Sequence, residues 1–237
     1  MPQTTTNPKR HGLHYSGGVS TEVSSIIVAG GSGTRFGAAK QFCLIDERSA
    51  LQCCIDAAST VSTEVVAVLP GDVDNAAVAA LTAAVPLRCV TGGSTRSASV
   101  RNGLAAIRSS ASVVIIHDAA RPLAPVSVFR RVLDAIINGA DAAVPTIEVV
   151  DTMQHRDGTV VDRSDLLIVQ TPQAFAAAPL RQVHELQPDA TDDASLLRAA
   201  GFVVSAVDGD RRSLKITDPI DLAIVSALAN LDSEPLS

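Results

Sequence analysis

The stretch Val23-Ser24-Ser25-Ile26-Ile27-Val28-Ala29-Gly30-Gly31-Ser32-Gly33-Thr34-Arg35-Phe36-Gly37-Ala38-Ala39-Lys40-Gln41 decides how this chain is read. Val23 to Val28 is an apolar run that reads as a buried strand, and Gly30, Gly31, Gly33 and Gly37 follow at once. Glycine lets the backbone turn sharply and come close to a ligand. Arg35 and Lys40 set positive charge beside that backbone. Backbone N–H groups together with fixed cations suit a polyphosphate. The stretch reads as a triphosphate-binding loop, with an ordinary tight turn between strand and helix as the plainer alternative.

Two familiar phosphate loops are excluded at named positions. A Walker A loop needs Gly-Lys followed by Ser or Thr, whose hydroxyl holds Mg²⁺; here Gly37 precedes Ala38, and Lys40 precedes Gln41. A dinucleotide fingerprint needs a glycine three positions after Gly33, where helix packs on strand; that position is Phe36. The next strand ends at Pro70-Gly71, with no acidic partner for a ribose.

The 237 residues suffice for one large α/β domain. No run of eighteen apolar residues occurs, so no membrane span is expected. Residues 1–21 are polar, lack an apolar signal-peptide region and read as a flexible tail, with 22–237 as a single domain. His11 and His14 in that tail read as solvated side chains. Cys43, Cys53, Cys54 and Cys89 match no zinc spacing and contain no Cys-x-x-Cys, which fits a reduced, cytoplasmic protein. A net charge of −6 argues against nonspecific nucleic-acid binding. A local Arg/Lys cluster can still serve an anionic small substrate.

Apolar runs alternate with alanine-rich helical patterns. Strands are expected at Val23–Val28, Glu64–Leu69, Leu87–Thr91, Ser112–His117, Ala142–Pro145 and Phe202–Val207. Helices are expected at Ser49–Val61, Val73–Ala84, Ser97–Ser109, Val126–Asn138, Pro179–Leu186, Asp192–Ala200 and Asp218–Leu231. This alternation implies an α/β fold, a mostly parallel twisted sheet flanked by helices on both faces. Ligands of such sheets bind beyond the carboxyl ends of the strands. The rhythm breaks after Pro145. Glu148–His155 reads as a strand, Arg156-Asp157-Gly158-Thr159 as a turn, and Val160–Arg163 as its return. This predicts an inserted β-hairpin arm at about 147–164. A two-stranded arm is marginal alone, so a second subunit is expected to cover it.

Other polar segments fall at strand ends. Gly92-Gly93-Ser94-Thr95-Arg96-Ser97-Ala98-Ser99 precedes a helix and reads as a nucleotide contact or as a polar cap. His117-Asp118-Ala119-Ala120-Arg121 follows an apolar strand, where charge is costly unless paired or ligand-facing. Asp118 reads as a ligand of a sugar hydroxyl or of Mg²⁺, or as the partner of Arg121, and His117 reads as structural. Thr191 caps a helix or meets a ligand. Lys215 stands between apolar neighbours, an expensive place for a surface cation.

These segments resemble, in order from about Val23 to Leu228, the cytidylyltransferases that act on 2-C-methyl-D-erythritol 4-phosphate in the non-mevalonate isoprenoid pathway. The resemblance rests on the loop, Gly-Gly-x-x-Arg-x-x-Ser-Val, His-Asp-Ala-Ala-Arg-Pro, Asp-Thr, Val-Asp-Arg, Thr-Pro-Gln-x-Phe, Thr-Asp-Asp-Ala-Ser and Lys-Ile-Thr. The chain departs from the family pattern at Gly30, Ala39, Ser94 and Gln154. The resemblance implies a Rossmann-like nucleotidyltransferase fold and transfer of CMP from CTP to the polyol phosphate. It implies catalytic roles for Arg35, Lys40, Arg163 and Lys215. It implies nucleotide contacts at Ala29, Gly30, Gly31, Ser32, Gly33, Thr34, Gly92, Gly93, Arg96 and Ser99. It implies acceptor contacts at Asp118, Arg121, Thr152, Arg163, Thr171 and Thr191. Thr152 and Arg163, carried on the arm, would serve the neighbouring subunit of a homodimer. Mg²⁺ would sit mainly on phosphate oxygens, with Asp118 as its protein ligand. Two alternatives remain open at this point: a sibling enzyme using a pentitol phosphate such as ribitol 5-phosphate, and a catalytically silent nucleotide-binding regulator.

Overall fold

In a computed structural model of the chain, residues 21–30, 40–186, 189–190 and 192–233 are described. The first half contains β1 (Val23–Val28), a ribbon of β2 (Leu44–Ile45) and β3 (Arg48–Ser49), α1 (Ala50–Ser59), β4 (Glu64–Leu69), α2 (Asn75–Ala79), β5 (Leu87–Thr91), α3 (Arg96–Ala106), β6 (Val113–Asp118), α4 (Val126–Ile137) and β7 (Ala142–Glu148). The second half adds β8 (Met153–Gln154), β9 (Val160–Val161), β10 (Leu167–Val169), β11 (Gln173–Ala176), α5 (Ala177–Glu185), α6 (Asp193–Ala199), β12 (Val204–Asp208) and α7 (Pro219–Ser233).

β1 lies between β4 and β6, parallel to both, and β5 extends the sheet beyond β4, also parallel. β1, β4 and β6 are almost wholly buried. That is why each reads as a largely apolar run rather than an alternating one. Successive side chains leave on opposite faces. Ile27 packs with Leu51, Ile55 and Phe129 beneath α1 and α4, while Ile26 packs with Val100, Leu104, Leu180 and Leu197 beneath α3, α5 and α6. Helices therefore cover both faces, as the alternation of elements implied.

The antiparallel part is built around β7. Thr146 pairs with Asp208 of the parallel β12 and with Val169 of the antiparallel β10, so these two strands flank β7 on opposite sides. Ala142 and Ala143 likewise pair with β12 and with β11. β10 and β11 thus trace the same side of β7 in succession. Their register slips by two residues between Val169↔Thr146 and Ala174↔Ala143. Gln170-Thr171-Pro172 is the bulge that absorbs the slip, and bulges of this kind re-aim side chains near functional sites. β11 then pairs with β6 and joins the two halves of the sheet.

Local signals account for the element ends. Ser49 and Thr95 cap α1 and α3 by accepting from Gln52 N and Ala98 N. Gly139, at φ +100°, follows α4, with Ala140 N donating to Ala135 O and Gly139 N to Ile136 O. That Schellman pattern needs a left-handed residue.

The structure corrects three expectations. The helix expected over Val73–Ala84 is only Asn75–Ala79, capped by Asp74. The strand expected over Glu148–His155 is split: β7 runs on to Glu148, and the arm's own ladder is Met153–Gln154 against Val160–Val161. Arg163 does not pair back but opens a short 3-10 turn, Arg163–Asp165. The arm's turn itself forms as expected, with Gly158 at φ +90° and His155 N donating to Thr159 O at 2.8 Å. Among the described residues no helix is long and apolar enough to cross a membrane. The expected tail, residues 1–20, lies outside the described residues.

Candidate active site

The carboxyl ends of β1, β4, β5 and β6 are laced together before any ligand arrives. Ala29 N donates to Val68 O at 2.8 Å, Gly92 N to Leu69 O at 2.7 Å, and Ala119 N to Val28 O at 3.0 Å. A cavity of about 480 Å³ opens over these ends, bounded by Ala29 and Gly30, by Gly93 to Arg96 with Ser99, by Asp118 to Ala120, and by Lys215. Gln41, at the far end of the deciding stretch, also faces it.

Ser99 explains two of the glycines. Its hydroxyl accepts from Gly93 N at 3.1 Å and donates to Thr95 O at 3.0 Å. A Cβ on Gly92 would stand 2.9 Å from Ser99 Oγ, and one on Gly30 3.1 Å away. At Gly92 a side chain would force Ser99 to shift, while at Gly30 it would crowd the same hydroxyl more mildly. Ser99 itself is 2 % exposed. It shapes the cavity wall from behind.

Asp118 is the electrostatic centre. Lys215 Nζ donates to its Oδ2 at 2.8 Å and Arg96 Nε to its Oδ1 at 3.3 Å. Burial opposes its ionisation, but the charges of Arg96 and Lys215 outweigh burial and hold the carboxyl below the usual carboxylate range. The alternative pairing with Arg121 is not the contact formed. Arg121 donates to the Ser213 carbonyl at 2.6 Å and to the Val169 carbonyl at 3.5 Å. Burial lowers its pKa, an effect Asp118 partly offsets.

A chain of hydrogen bonds orients this centre from below. Asp118 N donates to Thr171 Oγ1 at 3.1 Å, and Thr171 Oγ1 lies 3.0 Å from His117 Nδ1. The Thr171 hydroxyl proton is then free to go to Nδ1, so Nε2 carries the ring proton and donates to Arg121 O at 3.1 Å. Burial pushes the His117 pKa down to about 4, against the pull of Asp118. A neutral, fully wired imidazole is structural, as its sequence context suggested.

Lys215 reaches the cavity because its neighbours are anchored. Ile216 is fully buried with Ile45, Ala50 and Val225, and Ile216 N donates to Ala120 O at 2.8 Å. Upstream, Gln170 and Asp210 exchange hydrogen bonds at 2.9 and 3.0 Å. Gly209 fits below them: a Cβ there would meet Gln170 Oε1 at 2.4 Å and Thr146 O at 2.9 Å.

A second cavity of about 180 Å³ shares Arg96, Asp118 and Lys215 with the first and continues to Arg121, Thr171 and Asp192. Two compartments meeting at one cluster of cations can hold two anionic groups side by side. Gln41, Gln170, Gln173 and Asp192 border these spaces and were not singled out from sequence. Gln41, Gln173 and Asp192 stand within the quoted stretches without having been given a role, and Gln170 stands beside one. Thr152 and Arg163 border neither cavity. They sit exposed on the arm, where Arg163 Nη1 donates to Val150 O. Gly31, Ser32, Gly33, Thr34, Arg35 and Thr191 lie outside the described residues, and so does the side chain of Lys40, which begins the turn Lys40–Phe42.

The donor set does not fit a protein-built metal site. Both Asp118 oxygens already face cations, and among the described residues no group of three His, Cys, Asp or Glu side chains could hold an ion.

Comparison with known proteins agrees with this fold. The family model described as 2-C-methyl-D-erythritol 4-phosphate cytidylyltransferase matches residues 23–230. The protein of that name from Deinococcus radiodurans is 41% identical over 218 residues, covering 88% of this chain and 90% of its own. Its namesake from Corynebacterium diphtheriae is 37% identical, covering 92% and 97%. A "Bifunctional enzyme IspD/IspF" from Dinoroseobacter shibae is 41% identical over 89% of this chain, which spans about half (54%) of that longer protein. The crystal structure of the Thermus thermophilus cytidylyltransferase superposes with a TM-score of 0.76 at 35% identity, covering 88% of this chain and 99% of that one. The chain belongs to the 2-C-methyl-D-erythritol 4-phosphate cytidylyltransferase family.

Proposed function

We propose that the protein transfers CMP from CTP to 2-C-methyl-D-erythritol 4-phosphate, releasing pyrophosphate. One observation carries this reading beyond family membership: two adjoining cavities share the Arg96–Asp118–Lys215 cluster. An oxygen of the acceptor phosphate attacks the α-phosphorus of CTP. The bond from that phosphorus to the bridging oxygen breaks, and pyrophosphate leaves with the electron pair. The nucleophile is already anionic at neutral pH, so no general base is required. The work is to offset repulsion between anions, align them and stabilise charge in the transition state.

In this reading the larger cavity takes the nucleotide over Ala29, Gly30, Gly92 and Gly93, and Arg35 and Lys40 contact its triphosphate. Lys215 serves the phosphates from the seam. The smaller cavity takes the acceptor near Asp118 and Thr171; the acceptor contact at Thr191 rests on the family resemblance alone. Arg121 shapes that floor through its carbonyl contacts. A divalent cation bound with CTP would offset part of the triphosphate's negative charge, and no described side chain is assigned to hold it.

The arm is assigned to a homodimer. Val150, Met153, Val160, Leu167, Ile168 and Val169 are all exposed in the single chain. A second copy that covers them would bring Thr152 and Arg163 to the neighbouring acceptor cavity. Residues 22–237 act as a single domain in the cytoplasm, a setting with which the cysteine spacing of the sequence is compatible. A pyrophosphate-release assay with CTP and a panel of acceptors tests the reading. Release with methylerythritol phosphate supports it, release with ribitol 5-phosphate alone reassigns the acceptor, and no release with any acceptor contradicts it.

A further inference from the structure

Arg96 stands between two buried carboxylates. Its Nη1 donates to Asp193 Oδ2 at 2.6 Å, and its Nε to Asp118 Oδ1 at 3.3 Å. Asp193 opens α6, and only 1% of its side chain is exposed. Its other oxygen accepts from His184 Nε2 at 3.1 Å, and His184, on α5, is buried as well. A carboxylate only accepts, so this ring nitrogen carries the proton. The opposite nitrogen, Nδ1, meets no polar partner.

Neither end of this chain of contacts is an ordinary surface pairing. Burial opposes ionisation of Asp193, and the His184 hydrogen bond with the Arg96 charge overcomes it, which leaves the carboxyl below its usual range. Arg96 is the first residue of α3, the end of a helix where a cation is disfavoured. Two carboxylates compensate it there. A guanidinium committed on both sides is poorly placed to grip a mobile triphosphate, although the resemblance had assigned Arg96 to the nucleotide. Arg96 also borders both cavities.

We propose that Asp193, braced by His184, is a positioning residue: it holds Arg96 against Asp118, so that Arg96 forms a fixed wall on the acceptor side of the site rather than a contact for the triphosphate. The assignment of that side to the acceptor rests on the function proposed above. Asp193 reaches the site only through Arg96. His184 keeps Asp193 from turning away.

Asp193→Asn keeps the shape and the His184 contact but removes the charge. It is expected to raise KM for methylerythritol phosphate about tenfold and KM for CTP less than about threefold. Arg96→Gln should give the same split. The double variant should be no worse than the poorer single variant by more than about twofold, because residues acting through one another are not additive. A parallel rise in both KM values, or a double variant as poor as the product of the singles, overturns the proposal. Should Asp193→Asn fail to fold, Arg96→Gln alone decides between a split and a parallel rise. A second measurement needs no turnover. The Arg96 Nε–H resonance of the ligand-free protein should exchange slowly with water, and it should lose that protection in Asp193→Asn. Fast exchange in the wild-type protein overturns the positioning claim. Wild-type protein inactive with every acceptor contradicts the proposed function while this resonance still reports on Arg96.

Discussion

Lys215 Nζ lies 2.8 Å from Asp118 Oδ2, at the seam between the two cavities. The pair joins the C-terminal Leu-Lys-Ile segment to the end of β6, two regions far apart in sequence. It also fixes where positive charge can be offered, since the same carboxylate restrains Arg96. Asp118→Asn leaves these two cations facing a neutral amide. A hydrogen bond to a charged partner contributes about 1.5–3 kcal/mol. The acceptor KM is expected to rise about tenfold or more in steady-state assays, with KM for CTP changed much less. An unchanged acceptor KM would remove Asp118 from the acceptor side.

The buried His117 makes stability depend on mild acid. Its folded pKa of about 4 lies below the ordinary histidine value of about 6.5. Between those values the unfolded chain binds the proton and the folded one does not. Stability is therefore complete above about pH 6.5 and falls as pH drops toward 4. The loss from this one group is on the order of 3 kcal/mol. Asp118 and Asp193, whose pKa values are lowered, add a further loss only below the ordinary carboxylate range near 3.9. An NMR titration of the His117 ring checks the first window. A midpoint near 6.5 would contradict the buried, wired imidazole.

Thr171 tests the wiring itself. Its hydroxyl serves Asp118 N and His117 Nδ1 together. Thr171→Val preserves shape and strands both groups in the interior. A buried unsatisfied group costs about 1–3 kcal/mol. Urea unfolding at pH 7 should show a loss in that range or somewhat above, accompanied by weaker acceptor binding. Wild-type stability would mean the hydroxyl carries no such load.

Arg163 and Thr152 border neither cavity of their own chain, which motivates a complementation experiment. Lys40→Ala and Arg163→Ala proteins are each expected to lose turnover by about 10²–10³-fold. After mixing and exchange of subunits, part of the activity should return, because some sites receive Lys40 from one chain and Arg163 from the other. A mixture as inactive as its parents would place the whole site within one chain.

The buried strands were the most legible part of the sequence. β4 occupies the residues expected for it, because a strand covered on both faces leaves a nearly unbroken apolar run; β5 also matches its expected residues although it is only partly buried. β11 was not foreseen. Gln173-Ala174-Phe175-Ala176 is short and carries no alternation, and its place is set by pairing with both β6 and β7. The helix expected from Val73 shrank because the alanine-rich pattern there has only partly buried residues to hold it. In the site, Asp118 and Lys215 were legible as charges in apolar surroundings. Arg96 was legible as functional, but its commitment to Asp193 was not, since those residues are 97 positions apart. Asp193 was legible only as part of the Thr-Asp-Asp-Ala-Ser motif, with no role of its own, and His184 looked like an ordinary helix residue. Only the packing of α3 against α5 and α6 reveals them as one unit.

The most direct measurement is ³¹P NMR of the purified protein with CTP, Mg²⁺ and 2-C-methyl-D-erythritol 4-phosphate. The triphosphate signals should decay as equal amounts of pyrophosphate and a new diphosphate diester appear, and none of this should occur without the acceptor. CTP that persists unchanged beside methylerythritol phosphate, in protein shown to be folded, would contradict the assignment of the two cavities to these two substrates.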